Sequence, residues 1–222
     1  MIGKYIWVNL IFLLIGYVIG SINISILLSR KKGDDIRNHG SGNAGTTNAL
    51  RNYGHKFAIL VFLFDLFKSY IPIMSLFLLK LYLSNTNFFK FVYPIIIGVG
   101  VLIGHIFPIF FKFKGGKGVA TFFGIIFAFN ILLFITFLII YLSLLLITKI
   151  VSISSVLSTT TTSLLSLINI FYIDVFGFMQ INTAWPVHGI MIVFCAILIM
   201  FMHVPNYIKL ANKEENKLKF LQ

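Results

Sequence analysis

Six long apolar runs constrain what this chain can fold into more than any other feature of its sequence. About 20 apolar residues in a helix cross the hydrocarbon core of a bilayer. The chain is 59% hydrophobic and 11% charged, against about 25% charged in a typical soluble domain, so one soluble core could not bury its apolar surface. The sequence therefore predicts an all-α, polytopic membrane protein forming one membrane-embedded domain over residues 1–222. The runs cover residues 5–29, 57–83, 91–111, 119–148, 151–172 and 187–203.

The run 119–148 decides how the helices are counted, because it is too long for one crossing and too short for two full ones. A single crossing would put the polar segment 30–56 and the lysine-rich tail on opposite membrane faces, against the cytoplasmic preference of basic residues. A break near Asn130 puts every basic segment on one face. We therefore predict about seven transmembrane helices, some short enough to imply a thinned bilayer or a partly re-entrant segment. The N-terminus then lies outside, and the cytoplasmic tail carries Lys209, Lys213, Lys217 and Lys219.

The net charge of +12, from 18 Lys and Arg against 6 Asp and Glu, has two open explanations. Basic residues are retained in the cytoplasm near anionic lipid, or they attract an anionic substrate. They lie between apolar runs rather than on one soluble face, which argues against nucleic acid. With few carboxylates and no cluster of histidine and cysteine, no metal site and no cofactor is predicted.

The first polar segment, RKKGDDIRNHGSGNAGTTNALR from Arg30 to Arg51, has the composition of a phosphate-binding loop. Its glycines allow turns that aim successive backbone N–H groups at one point, and Arg51 can bind a phosphate bidentately. An ordinary turn between helices is the alternative, but such a turn rarely concentrates so many donors beside an arginine. The glycines and neutral donors that we single out are Gly40, Ser41, Gly42, Asn43, Gly45, Thr46, Thr47 and Asn48.

The second polar segment, FKGGKGVAT from Phe113, places Lys114 and Lys117 before an apolar helix. Backbone N–H groups and the helix dipole favour an anion at such a helix start. It is not a Walker A loop, because Gly118 stands where serine or threonine should follow the lysine. Taken alone, it also fits an apolar helix flanked by snorkelling lysines.

Charged and histidine side chains inside the apolar runs are a third group of candidates. Asp65 and Lys68 share one helix face and can pair, and we interpret them as structural support, because intramembrane charges are costly. His105 is close in sequence to the second polar segment, and His203 ends the last run with Asn206 one turn later. The remaining histidines are expected to be solvated, as for His39 and His55, or interfacial, as for His188.

At these residues the chain resembles, from end to end, the bacterial acyl-phosphate:glycerol-3-phosphate acyltransferase family (PlsY). The two most specific matches are DIRNHGSGNAGTTNALR from Asp35 and GHIFPIFFKFKGGKGVAT from Gly104, and the family's seven helices agree with the count from charge. Weaker matches are GSIN from Gly20, Asp65-x-x-Lys68 with Pro72, VSISS from Val151, and His203-x-x-Asn206.

The chain departs from the family pattern in three places. Thr46 replaces a usual alanine, and Ser69 replaces a usual glycine. Near the last run, the family's Arg-His-Arg is Met202-His203-Val204, and Pro205 replaces an acidic residue. The last change retains His203 and Asn206 but removes two positive charges beside them.

The resemblance implies transfer of a fatty acyl group from acyl phosphate to the 1-hydroxyl of glycerol 3-phosphate at the cytoplasmic face of the bacterial inner membrane. An enzyme that makes acyl phosphate is an implied partner. We assign Arg51, Lys117 and His203 to catalysis, while the base is left open between His203 and the substrate's own phosphate. Asp65, Lys68 and His105 are assigned to support. The residues assigned to substrate binding are Ser41, Gly42, Asn43, Gly45, Thr47, Asn48, Lys114, Ser155 and Asn206.

Three other functions are compatible with a membrane protein of this kind. An organic-phosphate transporter would place its site at the membrane midplane, whereas the donors here crowd at one face. A thioester-dependent acyltransferase would carry His-x-x-x-x-Asp, and none of the five histidines has an aspartate five residues later. A non-catalytic lipid-binding protein is the third alternative.

Overall fold

The structure, a computed structural model, describes residues 6–83, 87–172, 185–215 and 217. The described residues contain helices and no strand, which confirms the predicted all-α class. The predicted run 5–29 begins at Tyr5, and the tail includes Lys219; both residues lie outside the described ones. The helices are α1 Ile6–Gly20, α2 Ile24–Lys31, α3 Thr46–Tyr82, α4 Asn87–Lys90, α5 Ile95–Ile106, α6 Val119–Phe129, α7 Ile131–Thr148, α8 Val151–Leu165, α9 Val187–Met202 and α10 Val204–Ala211.

Three helical segments among the described residues are long and apolar enough to cross a membrane: Ile6–Lys31, Thr46–Tyr82 and Ile131–Thr148. A fourth candidate joins α9 and α10, which are bent by 48° relative to each other. The segments Ile95–Phe111 and Val119–Phe129 are apolar but shorter. The membrane fold is thus supported, while the count of seven helices stays a prediction.

The predicted break near Asn130 is confirmed. Helix α6 ends at Phe129, and α7 begins at Ile131. The side-chain oxygen of Asn130 accepts a hydrogen bond from the Leu133 backbone N–H at 2.9 Å, so Asn130 caps the second helix. An N-cap of this type satisfies a helix-start N–H that lipid could not.

The chain divides into two compact units, one ending at Ala128 and the other beginning at Phe129. One domain over the whole chain therefore stays a prediction, and each unit is described by itself. In the first unit, residues 32–45 between α2 and α3 form what we call the polar loop. Residues 107–118 between α5 and α6 form what we call the lysine loop.

Helices α1 and α5 of the first unit pack with their backbones in close approach. A Cβ atom on Gly16 or Gly20 of α1, or on Gly100 or Gly104 of α5, would collide with a backbone carbonyl of the other helix. Small residues spaced four apart allow this kind of packing in membranes. The pair positions both the start of α2 and the start of the lysine loop.

The second unit contains a helix rich in serine and threonine. In α8 several hydroxyls donate to carbonyls one turn earlier, for example Ser158 to Ser154 at 2.6 Å and Thr159 to Ser155 at 2.8 Å. These bonds satisfy polar groups inside the unit. His188 of α9 is fully buried, with its ring edge-on to Phe129 at 6.0 Å between centroids. His188 therefore faces the interior of the second unit, and its position at the membrane interface stays a prediction.

Candidate active site

The side chain of Asn48 organises the polar loop. Its Nδ2 donates to the carbonyl oxygens of Ile36 at 3.1 Å, His39 at 3.0 Å and Asn43 at 2.9 Å. Its Oδ1 accepts from the Ser41 backbone N–H at 3.0 Å. With Asn48 only 2% exposed, its amide is committed to shaping the loop around the start of α3.

The exposed part of the shaped loop leads into the start of α3. Gly40 and Gly42 have positive φ angles of 60° and 69°, a conformation that glycine adopts without steric cost. Ser41 and Gly42 are exposed, and their backbone N–H groups already donate to Asn48 Oδ1 and to the His39 carbonyl oxygen. Helix α3 begins at Thr46, and the N–H groups of a first helical turn have no partner within their own helix. The loop and the helix start therefore form a donor-rich surface of the kind that binds anions.

The lysine loop folds back against the end of α5. The backbone N–H groups of Gly115 and Gly116 donate to the carbonyl oxygens of Ile106 and His105, both at 3.1 Å. A Cβ atom on Gly116 would collide with the His105 ring, so the loop needs glycine there. The fold leaves Lys114 exposed and Lys117 half-buried.

The two loops lie side by side in the first unit. The Ala44 backbone N–H donates to the Gly115 carbonyl oxygen at 3.4 Å. Ala44, Ile36 and Phe111 belong to one buried apolar cluster, so both loops pack against the same apolar side chains. The structure thus brings the predicted donors of the polar loop next to Lys114 and Lys117.

Below the lysine loop, Asp65, Lys68 and His105 form a buried polar cluster. Lys68 Nζ lies 2.8 Å from Asp65 Oδ1 and 2.8 Å from His105 Nδ1. His105 Nδ1 is 3.3 Å from the same carboxylate oxygen. Lys68 also reaches the Gly20 and Ile22 carbonyl oxygens at 3.4 and 3.3 Å. The predicted Asp65–Lys68 pair is confirmed, and His105 joins it to the lysine loop.

The second unit holds the other predicted residues. Ser155 is buried and interacts with the Tyr141 hydroxyl. His203 is buried, with its Nδ1 2.8 Å from the Ile199 carbonyl oxygen. Asn206 Nδ2 donates to Glu215 Oε1 at 2.7 Å.

Glu215 also accepts a hydrogen bond from the Ser152 hydroxyl at 2.9 Å. Its carboxylate therefore connects α10, through Asn206, to the first turn of α8. An anion is favoured at a helix start, which fits the position of Glu215 beside Ser152.

Comparison with known proteins identifies the family. A family model described as glycerol-3-phosphate acyltransferase matches residues 10–213. The glycerol-3-phosphate acyltransferase of Mycoplasmopsis agalactiae is 40% identical over 239 residues, covering 96% of this chain and 95% of that protein. The Bacillus subtilis protein of the same name is 34% identical, covering 95% and 98%. This chain belongs to the glycerol-3-phosphate acyltransferase family.

A solved structure of the family agrees with the fold. The crystal structure of PlsY (YgiH), an integral membrane glycerol 3-phosphate acyltransferase, in its glycerol 3-phosphate form is 31% identical. It has a TM-score of 0.75 and covers 96% of each chain. A lysophosphatidic acid form of the same protein matches with a TM-score of 0.73. The predicted family and enzyme class are confirmed, and a transporter is not supported.

The sequence did not reveal the contact of Glu215 or the structural role of Asn48. Glu215 lies in a lysine-rich tail, and nothing in its spacing indicates that it meets Asn206. The role of Asn48 as the centre of the polar loop was likewise not predicted, although a buried asparagine before a long helix is a signal for such a role. The assignment of individual residues to substrate stays a prediction.

Proposed function

We propose that this acyltransferase moves a fatty acyl group from acyl phosphate to the 1-hydroxyl of glycerol 3-phosphate at the cytoplasmic face of the bacterial cell membrane. The observation that carries the proposal is the contact between two glycine-rich loops, through Ala44 and Gly115. The polar loop and the start of α3 contribute side-chain donors and the N–H groups of a first helical turn, and the lysine loop adds two ammonium groups. Two phosphates side by side are what this pair of substrates requires. An enzyme that makes acyl phosphate would have to supply the donor.

The reaction forms an ester bond between O1 of glycerol 3-phosphate and the acyl carbon, and breaks the bond from that carbon to the phosphate oxygen. The leaving group is inorganic phosphate, and the products are 1-acyl-glycerol 3-phosphate and phosphate. Because phosphate leaves readily, orientation and neutralisation of charge account for most of the rate enhancement. Backbone amides, arginine and lysine provide both.

We assign the acyl-phosphate group to the polar loop and the start of α3. Ser41, Gly42, Asn43, Gly45 and Thr47 contribute donors there. Asn48 serves this binding by holding the loop in shape.

In the first unit we assign Arg51 and Lys117, with Lys114, to glycerol 3-phosphate. Ser155, His203 and Asn206 of the second unit stay predicted glycerol 3-phosphate residues. Arg51, on the exposed side of α3, can bind a phosphate with two parallel hydrogen bonds. Asp65, Lys68 and His105 support the lysine loop from below.

The proton of the attacking hydroxyl has two candidate acceptors, His203 and a phosphate oxygen of the substrate. Ile199 accepts a hydrogen bond from His203 Nδ1, which in a neutral ring makes Nε2 the basic nitrogen. His203→Ala separates the two acceptors. A fall in kcat with KM unchanged supports His203 as the base, whereas a raised KM supports a binding role.

The direct test uses detergent-purified protein with synthetic acyl phosphate and glycerol 3-phosphate. We expect release of inorganic phosphate and formation of lysophosphatidic acid, with an acyl thioester giving no product. In Lys117→Ala we expect a higher KM for glycerol 3-phosphate. Kinetics of Lys117→Ala identical to wild type with both substrates would exclude the role of that lysine.

The membrane orientation is tested separately. Single-cysteine variants of the protein, made in a Cys195→Ser background, are labelled in intact cells. A cysteine at position 213 in the tail should resist a membrane-impermeant thiol reagent until the cells are opened. Labelling in intact cells would place the tail outside and overturn the cytoplasmic orientation.

A further inference from the structure

The side chain of Arg37 reaches from the polar loop to the backbone of the lysine loop. Its Nη1 donates to the carbonyl oxygen of Phe111 at 2.9 Å and to that of Lys114 at 3.1 Å. These two carbonyls flank a turn made by Lys112 and Phe113. Arg37 thus holds both ends of the turn that leads to Lys114.

This turn needs outside contacts to keep its shape. Lys112 and Phe113 both have a φ angle of 58°. Left-handed backbone is unfavourable for a non-glycine residue, and this turn has two such residues in succession. The bonds from Arg37 to the flanking carbonyls offset part of this cost.

Asp35 fixes the direction in which Arg37 points. Arg37 Nε donates to Asp35 Oδ1 at 2.9 Å, and Nη2 donates to Oδ2 at 2.7 Å. Asp35 Oδ1 also accepts from the Arg37 backbone N–H at 3.1 Å, which holds the carboxylate at the start of a short 3-10 helix, Ile36–Asn38. With the edge formed by Nε and Nη2 occupied by the carboxylate, Nη1 is directed at the lysine loop.

The electrostatics agree with this arrangement. The paired guanidinium holds the pKa of Asp35 well below its ordinary value, and the carboxylate raises the pKa of Arg37. Both groups are therefore charged at neutral pH. Between them in sequence, Ile36 is fully buried in the apolar cluster that also contains Phe111, so the pair stands on a rigid base.

We propose that Arg37 is a positioning residue, held by Asp35, that keeps the lysine loop in register with the polar loop for acyl transfer. The inference rests on the proposed function. Arg37 acts through the backbone of Phe111 and Lys114 and does not bind substrate. Its removal should let the turn relax, so that Lys114 and Lys117 move relative to the donors of the polar loop.

The test compares the steady-state kinetics of Arg37→Ala, Arg37→Lys and Asp35→Asn with those of wild type in detergent. We expect Arg37→Ala to lower kcat/KM about 30-fold, mainly through KM, because Arg37 is half-buried and water can replace part of the two charge-assisted hydrogen bonds that are lost. Arg37→Lys should be intermediate, because an ammonium group lacks the planar fork that spans Asp35 and both carbonyls. Asp35→Asn should resemble Arg37→Lys.

Arg30→Ala is the matched control. Arg30 is bound to the same carboxylate, with its Nε 3.2 Å from Asp35 Oδ2, and its side chain is 51% exposed. It meets the lysine loop through the Phe111 ring, 5.4 Å from its guanidinium carbon, whereas Arg37 binds the loop's backbone carbonyls. Removing it takes away the same charge, and we expect kcat/KM within about twofold of wild type, as for most surface pairs. Equal losses in Arg30→Ala and Arg37→Ala would attribute the effect to net charge and overturn the proposal.

A double-mutant cycle with Lys114→Ala distinguishes positioning from general stability. If Arg37 acts by placing the lysine loop, its loss matters less once Lys114 is absent, and the two effects are less than additive. Full additivity, or unchanged KM values in Arg37→Ala, would refute the positioning role. Wild-type protein that releases no phosphate from acyl phosphate would instead refute the proposed function, so the two failures are distinguishable.

Discussion

The loop residues of the first unit and the residues around Asn206 in the second unit have different hydrogen-bond partners. In the first unit, Asn48 and Arg37 bond mainly to backbone carbonyls and give the two loops their shape. In the second, Asn206 and Ser152 meet a side-chain carboxylate, that of Glu215. The difference shows that a segment rich in hydrogen-bond donors can use many of those donors to fold its own loop. Ligand binding by the donors that remain is the proposal made above. We expect substitutions to be most damaging where one side chain holds several backbone groups.

The largest effect is expected for Asn48→Ala. The change leaves three carbonyls and the Ser41 N–H without their partner, and each unsatisfied buried group costs about 1–3 kcal/mol. We expect kcat/KM to fall at least about 100-fold, since about 1.4 kcal/mol corresponds to a factor of ten. Phosphate release at varied acyl phosphate concentration measures the loss.

Asn52→Ala is the control for this prediction. Asn52 is exposed, and its Nδ2 donates to Asn48 at 2.9 and 3.0 Å, so it touches the same residue without holding the loop. We expect a change below about fivefold, as for a single exposed hydrogen bond. A milder loss in Asn48→Ala than in Asn52→Ala would contradict the view that Asn48 is the centre of the loop.

A smaller effect is expected for Gly116→Ala. The added methyl group would meet the His105 ring, and displacing a packed loop typically costs about 1–3 kcal/mol. We expect KM for a phosphate substrate to rise about tenfold, with kcat less affected.

Gly33→Ala adds the same methyl group where no atom lies within 4 Å. It should leave kcat/KM within about threefold of wild type, because its only cost is backbone strain at an exposed turn. If both alanine variants kept wild-type KM values, the packing of the lysine loop on His105 would not matter for binding.

A smaller effect still is expected in the second unit, for Glu215→Ala. The change removes the acceptor that orients Asn206 and Ser152, and a hydrogen bond to a charged group contributes about 1.5–3 kcal/mol when buried. Because Glu215 is partly exposed, we expect KM for glycerol 3-phosphate to rise only about three- to fivefold.

Glu214→Ala is the matched control, since Glu214 is exposed and adjacent, and it should behave as wild type. A lower KM for glycerol 3-phosphate in Glu215→Ala would contradict this prediction. It would mean that the Glu215 carboxylate competes with the substrate for Asn206 and does not position Asn206.

The sequence predicted the helical class, the break at Asn130 and the Asp65–Lys68 pair, because each follows from local pattern: apolar length, a capping side chain, and spacing on one helix face. It did not reveal that Arg37 spans to Phe111 and Lys114, more than seventy residues later. That contact depends on how the two loops pack against their shared apolar cluster. The burial of His188 was not predicted for the same reason, since periodicity in an apolar helix does not distinguish a lipid-facing side from a protein-facing one.

The smallest effect near neutral pH is expected for the pH dependence of the thermal stability that the Asp35–Arg37 pair provides. The hydrogen bonds from Arg37 lower the pKa of Asp35, so the stabilisation by this pair is complete above the unfolded pKa of about 3.9 and is lost as the pH falls through the lower folded value. We expect the difference in thermal midpoint between wild type and Asp35→Asn to be constant from about pH 8 to pH 5 and to shrink below about pH 4. Thermal unfolding in detergent across that range measures it. If the difference in thermal midpoint already narrowed between pH 7 and pH 5, a group other than Asp35 would control the stability of the pair. The loop contacts made by Asp35 and Arg37 would then not account for the pH dependence of the first unit.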